Sequence, residues 1–417
     1  MLGFASDNRS LYLLSSVGAN ATRLMRVSLD TGASVVLAED PDVDVSDVMG
    51  HPTTDELEAV QFTRARAQWV VLDARVRADF ALLRTVDDGD FKVVSRDDRS
   101  DRTWIVRYVS DDRPARYYLY DRGAGNAIFL FSDQPALQPL RLAKTQPVSF
   151  TARDGLKLHG YLTLPVAVEP RDLALVLKVH GGPWNRDLWG FDPEIQWLAN
   201  RGYAVLQVNF RGSSGYGKAY LNAGNREWGG KMHADLLDAK RWAVAQGYAR
   251  PDKVCLMGGS YGGYAAMAAL ALSPKEFACG ISFAGLSDLA LHVRAHPAGW
   301  WGKGRWDTRV GNAETEAAFL ESRSPLFLVE AVEGAILIVH GAKDPNVHRV
   351  QSDLMVAALR ARGKSVPYLL LPDDGHGLHQ PVNRLRAYAL AEQVLARYLG
   401  GRAEPTHAHE NAEPFLK

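Results

Sequence analysis

Cysteine is almost absent: Cys255 and Cys279 are the only two in 417 residues, each inside an apolar run. That excludes a disulfide framework and reads as two buried thiols. Net charge is absent as well. Lys+Arg and Asp+Glu both number 48, which argues against nucleic-acid binding, where a basic excess supplies affinity. Residues 1–145 hold 18 basic and 22 acidic side chains and the remainder 30 and 26, an asymmetry too small to imply a charged partner. No stretch reaches the about 18 apolar residues of a membrane-spanning helix. Met1 to Ser10 lacks a basic segment followed by an apolar one, so no signal peptide is visible. The expectation is a cytoplasmic protein with no membrane and no nucleic-acid partner.

What is present suffices for a large core. Hydrophobic residues make up 47% and charged residues 23%, the balance of an ordinary soluble chain, which needs neither metal nor disulfide to fold. At roughly 150 residues per domain, the length suggests two or three domains.

The two halves differ in pattern. Residues 1–145 alternate short strand-like runs with turns, as in Arg23 to Leu29, Asp30-Thr31-Gly32, Ser34 to Leu37. The pattern recurs at Tyr117 to Tyr120, Asp121-Arg122-Gly123, Ala127 to Phe131, offset by 91 residues. Two periods of roughly 45 residues are the spacing of four-stranded propeller blades. About three blades fit, whereas closed propellers use about four to eight. Open edges would remain, and open edges invite self-association, so a homo-oligomer is expected.

From about 146 onward, apolar runs alternate with helical segments. The runs are Leu173 to Val179, Tyr203 to Val208, Val254 to Met257, Ala335 to Val339 and Val366 to Leu371; the helices fall at 192–201, 231–246, 261–272, 348–362 and 382–398. This predicts a mostly parallel sheet with helices on both faces, an α/β fold. Gln134 to Pro147 reads as the linker. The organisation expected is an all-β partial propeller-like domain over 1–140, an α/β domain over 141–400 and a flexible tail over 401–417.

The strongest chemical signal is Gly258-Gly259-Ser260-Tyr261-Gly262-Gly263, entered by an apolar strand and left by an Ala-rich helix. Small residues on both sides of Ser260 permit the tight strand-to-helix turn of a nucleophile elbow. A phosphate-binding turn would need a lysine at the helix start or spaced glycines, and neither is present. A serine nucleophile needs a base oriented by an acid, here in the chain order Ser, Asp, His. Asp344 follows one strand and His376, in Asp374-Gly375-His376-Gly377, follows the next. Side chains just past the carboxyl ends of parallel strands can converge on one site. Asp353 lies within a helix and His379 lacks the glycine-flanked setting, so both are poorer candidates; His340 reads as structural. For the oxyanion, the Tyr261 amide and a loop amide are needed. His180-Gly181-Gly182-Pro183-Trp184 resembles the HGGG-type loop, with Gly182 the favoured donor. Eight of the ten tryptophans lie between 184 and 306; Trp184 and the loop pair Trp300-Trp301 are candidates for the substrate pocket.

Together His180-Gly181-Gly182-Pro183, Asn209 to Gly217, Gly258 to Gly263, Asp344 and His376 resemble the prolyl oligopeptidase family of serine peptidases, in particular its acylaminoacyl peptidase-like branch. The resemblance implies Ser260 as nucleophile, His376 as general base and acid, Asp344 as its orienter, and the Gly182 and Tyr261 amides as oxyanion hole. It also implies Trp300 and Trp301 near the side chain beside the scissile bond, acyl-enzyme chemistry on a short peptide or small ester, and no metal or cofactor. Arg211 matches a family position and reads as structural. Family members usually carry a full propeller that restricts access to short peptides, so selectivity carried by further blades does not transfer. The alternatives are a carboxylesterase with the same triad and a non-catalytic binding scaffold.

Overall fold

Residues 2–295 and 302–405, apart from the Lys303 side chain, are described in a computed structural model. Trp300 and Trp301, expected at the substrate, and residues 406–417 of the tail lie outside them. The chain divides into two compact units. The first is Met1–Thr145 with Leu188–Gln196 and Ser214–Tyr220; the second is Gln146–Asp187, Trp197–Ser213 and Leu221–Lys417.

In the first unit each strand pairs antiparallel with its chain neighbour, as short runs joined by tight turns must. One sheet holds β1 (Gly3–Phe4), β2 (Ser10–Ser15), β3 (Arg23–Ser28) and β4 (Ser34–Ala38). A second holds β5 (Val45–Gly50), β6 (Leu57–Thr63) and β7 (Ala67–Val71). The third holds β8 (Asp90–Arg96), β9 (Thr103–Val109), β10 (Arg116–Asp121) and β11 (Asn126–Ser132). Both repeated turns close hairpins, but the glycine with positive φ is Gly32 (70°) in the first and Gly125 (62°), two residues past Gly123 of the repeated motif, in the second.

A helix, α1 (Arg77–Val86), interrupts this all-strand reading. Its Phe80 and Leu83, three apart and so on one face, are fully buried with Trp69, Phe91, Trp104 and Tyr108. Two guanidinium groups lie over Trp104, those of Arg96 and Arg122, 4.6 and 4.8 Å from its ring centroid. Arg96 in turn binds Glu58 and Asp101, and Arg122 binds Asp79 and Asp101. Buried charge is tolerated there because every carboxylate has a cationic partner.

The second unit is built on an eight-stranded sheet. Its strands are β12 (Thr145–Thr151), β13 (Lys157–Thr163), β14 (Leu173–Val179), β15 (Ala204–Asn209), β16 (Ala249–Gly259), β17 (Cys279–Phe283), β18 (Ala335–Gly341) and β19 (Tyr368–Leu371). They run in the order β12-β13-β15-β14-β16-β17-β18-β19. From β15 to β19 every pairing is parallel, while β13 is antiparallel to β15. The helices of the chain from Pro193 onward are α2 (Pro193–Asn200), α3 (Gly217–Asn222), α4 (Lys231–Ala245), α5 (Tyr261–Leu272), α6 (Leu289–Arg294), α7 (Lys303–Arg309), α8 (Ala317–Glu321), α9 (Val350–Ala361) and α10 (Pro381–Leu399). β16 and α5, in the middle of the sheet, are buried over nearly every residue that carries apolar side chains, as the fully apolar runs require.

Two sequence expectations change. The linker does not extend to Pro147: that residue lies inside β12, an edge strand, where a missing backbone donor is tolerated. A further strand, β17, escapes the apolar-run criterion because Gly280 and Ser282 break its five residues.

Arg211 proves to be a tie between elements. Its guanidinium binds Asp154, in the β12–β13 turn, at 2.8 and 2.9 Å, and the fully buried Asp235 of α4 at 2.8 and 2.7 Å. Burial pushes the Asp235 pKa up, and the arginine offsets part of that rise. The adjacent Arg153 makes a parallel bond to Asp238, one turn further along α4. The turn is therefore clamped to the helix by two guanidinium–carboxylate forks.

Candidate active site

β16 ends at Gly259 and α5 begins at Tyr261, leaving Ser260 alone to reverse the chain. It does so with φ 57° and ψ −117°, a conformation costly for a residue with a Cβ and typical of strained functional turns. The Ser260 amide is anchored to Phe283 O at 2.8 Å. The flanking glycines are steric necessities: a Cβ on Gly262 would lie 2.1 Å from Val179 O, and one on Gly258 2.4 Å from it. Tyr261 is the first residue of α5, so its N–H has no intrahelical acceptor and sits at the positive end of the helix dipole.

β14 delivers the loop His180 to Trp184. The His180 ring stacks on Phe210 at 4.5 Å, and its nitrogens contact Gly181 O and Ser213 Oγ, both at 2.9 Å. Burial lowers its pKa. Gly181 runs beside the serine, since a Cβ there would lie 3.4 Å from Ser260 Cβ. Gly182, at φ 120° and joined to Pro183 by a cis peptide, lines the same cavity as Ser260.

The carboxyl end of β18 supplies Asp344. Its Oδ1 accepts the Asn346 and Val347 amides, each at 2.8 Å, and its Oδ2 accepts His376 Nδ1 at 2.7 Å. Burial would raise its pKa. Hydrogen bonding from His340, His376 and the Val347 amide outweighs that and holds the carboxyl well below the ordinary range. His340 Nε2 lies 3.4 Å from Asp344 Oδ2, a contact the strand-end reading of this residue missed. His376 stands in the loop after β19, pinned by the buried Asp374, which accepts the His379 and Gln380 amides at 3.1 Å and Asn383 Nδ2 at 2.8 Å.

The alternatives fall elsewhere. His379 packs against Gly377, and Asp353, on α9, accepts the Tyr368 hydroxyl at 2.7 Å.

Ser260, Asp344 and His376 line one cavity of about 880 Å³. The His376 ring bonds to Asp344, and no hydrogen bond joins it to Ser260 Oγ. Trp228, Tyr261, Leu286, Leu291, Trp306 and Val347 give the cavity an apolar wall, and His292 adds a polar edge. Trp184 stands behind this wall. Its ring meets Trp306 at 5.3 Å and Trp228 at 6.5 Å, and Arg305 and Arg309 cover it at 4.4 and 5.6 Å. Trp228 and Trp306 are thus the indoles at the cavity among the described residues, and nothing in the spacing of tryptophans shows which of them reach a pocket.

A metal has one geometric candidate among the described residues. His51, Glu58 and Asp101 bring ligand atoms within 4.8 Å of one another, but Arg96 already neutralises both carboxylates. The cavity itself offers a hydroxyl, an imidazole and an ionised carboxylate, the groups that acyl transfer needs.

The family model described as "Prolyl oligopeptidase family" matches residues 189–402. The chain belongs to the prolyl oligopeptidase family. It is 42% identical over 413 residues to dipeptidyl aminopeptidase BIII of Pseudoxanthomonas mexicana, covering 97% of this chain and 60% of that protein. It is 37% identical over 430 residues to dipeptidyl peptidase family member 6 of Caenorhabditis elegans, covering 96% of this chain and 58% of that one. The chain thus spans about three fifths of the length of the curated relatives it matches. Among solved structures, the acylaminoacyl peptidase of Pyrococcus horikoshii superposes with a TM-score of 0.77 at 23% identity, over 99% of this chain and 64% of that one. The family fold, a β-sheet domain followed by an α/β-hydrolase domain, is the one seen here. No helix among the described residues is long and apolar enough to cross a membrane.

Proposed function

We propose that this member of the prolyl oligopeptidase family is a serine hydrolase that cleaves short or N-acylated peptides through an acyl-enzyme on Ser260. The observation that carries the reading is the 2.7 Å Asp344–His376 bond at the cavity that Ser260 also lines. Ser260 Oγ attacks the scissile carbonyl while His376 Nε2 takes its proton and then passes it to the leaving amine. Asp344 holds the Nδ1 proton and stabilises the imidazolium. The tetrahedral oxyanion lies against the Tyr261 and Gly182 N–H groups, and water, activated by His376, releases the acid. The apolar wall suits an aliphatic or aromatic side chain beside the scissile bond, with Trp184 acting through the indoles it supports. Relatives named as dipeptidyl peptidases and a structural neighbour named as an acylaminoacyl peptidase support a peptide substrate.

The triad serves amides and esters alike, so the substrate decides between peptidase and carboxylesterase. We expect kcat/KM for an acyl-amino-acid or dipeptidyl anilide to be measurable and to be abolished with Ser260. Strong turnover of a p-nitrophenyl ester with no anilide cleavage would make the protein an esterase.

Self-association belongs to the same proposal. We read the three antiparallel sheets of the first unit as propeller blades. Edge strand β11 leaves Ile128, Phe129, Leu130 and Phe131 between 40% and 56% exposed, an apolar edge of the kind that pairs with another chain. Light scattering at micromolar concentration should give a mass above that of one chain, and Phe129→Lys with Phe131→Lys should lower it; a monomer throughout would contradict this. Cys255 and Cys279, register partners on adjacent strands, are both free thiols, which suits a reducing, cytoplasmic setting.

A further inference from the structure

His340 is the penultimate residue of β18, and its side chain is fully buried. Nε2 is 2.8 Å from Val347 O and 3.4 Å from Asp344 Oδ2, and Nδ1 is 2.7 Å from Ser352 Oγ on α9. Val347 O and an ionised carboxylate can only accept, so Nε2 carries a hydrogen and Nδ1 accepts from the Ser352 hydroxyl. The ring is thus locked from both ends. Its N–H is taken by Val347 O, and the same ring nitrogen lies 3.4 Å from the carboxylate oxygen that binds His376.

We infer that His340 is a positioning residue for the Ser260 reaction: its Nε2–H fixes the Asp344 carboxylate and limits how strongly that carboxylate draws the His376 proton. The inference rests on the hydrolase reading above. A buried carboxylate feels nearby dipoles strongly, because little water screens them. Oδ1 is saturated by two backbone amides, which leaves Oδ2 as the oxygen that His376 senses. The partial positive charge of the His340 Nε2–H beside Oδ2 offsets charge that the His376 Nδ1–H would otherwise meet alone. It also ties the 344–347 turn to the end of β18, so Oδ2 stays opposite the imidazole. An imidazolium held too tightly would return its proton to the leaving group slowly.

The sign of the pH effect follows. Without the His340 N–H, negative charge concentrates on Oδ2, the His376 imidazolium is favoured, and the acid limb of kcat/KM moves to higher pH. The other titratable groups near His376 are Asp373, Asp374 and His379 on its own loop, Lys343 on the β18 side, paired with Asp373 at 3.6 Å, and His292 and His348 on the cavity wall. None is altered by the substitutions below, so a moved limb reports on Asp344.

The test is the pH profile of kcat/KM and of kcat, on whichever anilide or ester the wild-type chain turns over, for His340→Leu, His340→Gln and Ser352→Ala. His340→Leu keeps the volume and removes the donor. It should lower kcat about 10- to 100-fold, as loss of a supporting partner does, with KM within about twofold and the acid limb raised by about half a unit. His340→Gln, which retains an N–H, should recover most of both effects. Ser352→Ala, which unlocks the ring, should move the limb the same way by less. Limbs unmoved in both His340→Leu and Ser352→Ala, with activity falling only as the folded fraction falls, would overturn the inference. Should His340→Leu not fold, the Ser352→Ala limb decides alone. Ser260→Ala, assayed alongside, separates the two failures. If it keeps the wild-type rate, the hydrolase reading falls; if it loses the rate and the limbs do not move, only the role of His340 falls.

Discussion

Alanine at position 260 is expected to lower kcat about a million-fold with the melting temperature nearly unchanged. The size follows from what the hydroxyl alone supplies. Without it no acyl-enzyme forms, and His376 and the oxyanion donors can only assist direct attack by water, which leaves a residual advantage of about 10³–10⁴ over the uncatalysed reaction. The fold should tolerate the change. The unusual backbone of Ser260, φ 57°, is already borne by a residue with a Cβ, so alanine adds no strain. The anchoring bond from its amide to Phe283 O uses only main chain. Steady-state kinetics with a thermal melt on the same sample check both halves. A loss smaller than about a hundredfold would mean that the nucleophile is elsewhere.

Asp344→Asn comes second, with an expected loss of about 10⁴ in kcat and little change in KM. The two side chains have the same shape, and the Asn carbonyl can still accept the Asn346 and Val347 amides that Asp344 Oδ1 accepts at 2.8 Å. The other end of the side chain then presents N–H where Oδ2 accepted. His376 Nδ1 must become an acceptor, so its hydrogen moves to Nε2, the tautomer that cannot take a proton from serine. The same NH₂ faces His340 Nε2–H, donor against donor. Some stability should therefore be lost as well. The wild-type pKa is depressed, so the stability owed to the charge is present above the ordinary aspartate range of about 4 and is lost as pH falls below it. Asn should accordingly cost melting temperature at pH 7 and progressively less in acid. Kinetics at pH 7 and melts between pH 3 and 7 provide the check.

The parts of this site that chain order and local sterics determine were legible in the sequence. Ser260 sits in glycines that the structure shows to be unavoidable, because a Cβ on Gly258 or Gly262 would collide with Val179 O. Asp344 and His376 each follow a strand of continuous apolar residues, and such strands end on the same side of a parallel sheet. Contacts that depend on how loops pack were not legible. The strand-end position of His340 gives no hint that the next turn curls the Asp344 carboxylate back to within 3.4 Å of its ring. Trp184 follows the glycine loop in sequence, yet its indole packs behind Trp306 and Trp228. In the first half, α1 stayed hidden because Arg77, Asp79 and Arg84 break up its apolar residues, and its Asp79 is held inside by Tyr120 of β10 and by Arg122 in the turn that follows.

The claim at the centre is a single reactive serine at the Asp344–His376 pair. Its most direct test is to treat the protein with a fluorophosphonate probe and measure the intact mass, then map the site by peptide mass spectrometry. One adduct per chain is expected, on the peptide that contains Ser260, absent from Ser260→Ala and strongly slowed in Asp344→Asn. An adduct on another residue, or no adduct in a preparation that still hydrolyses its substrate, would contradict the account.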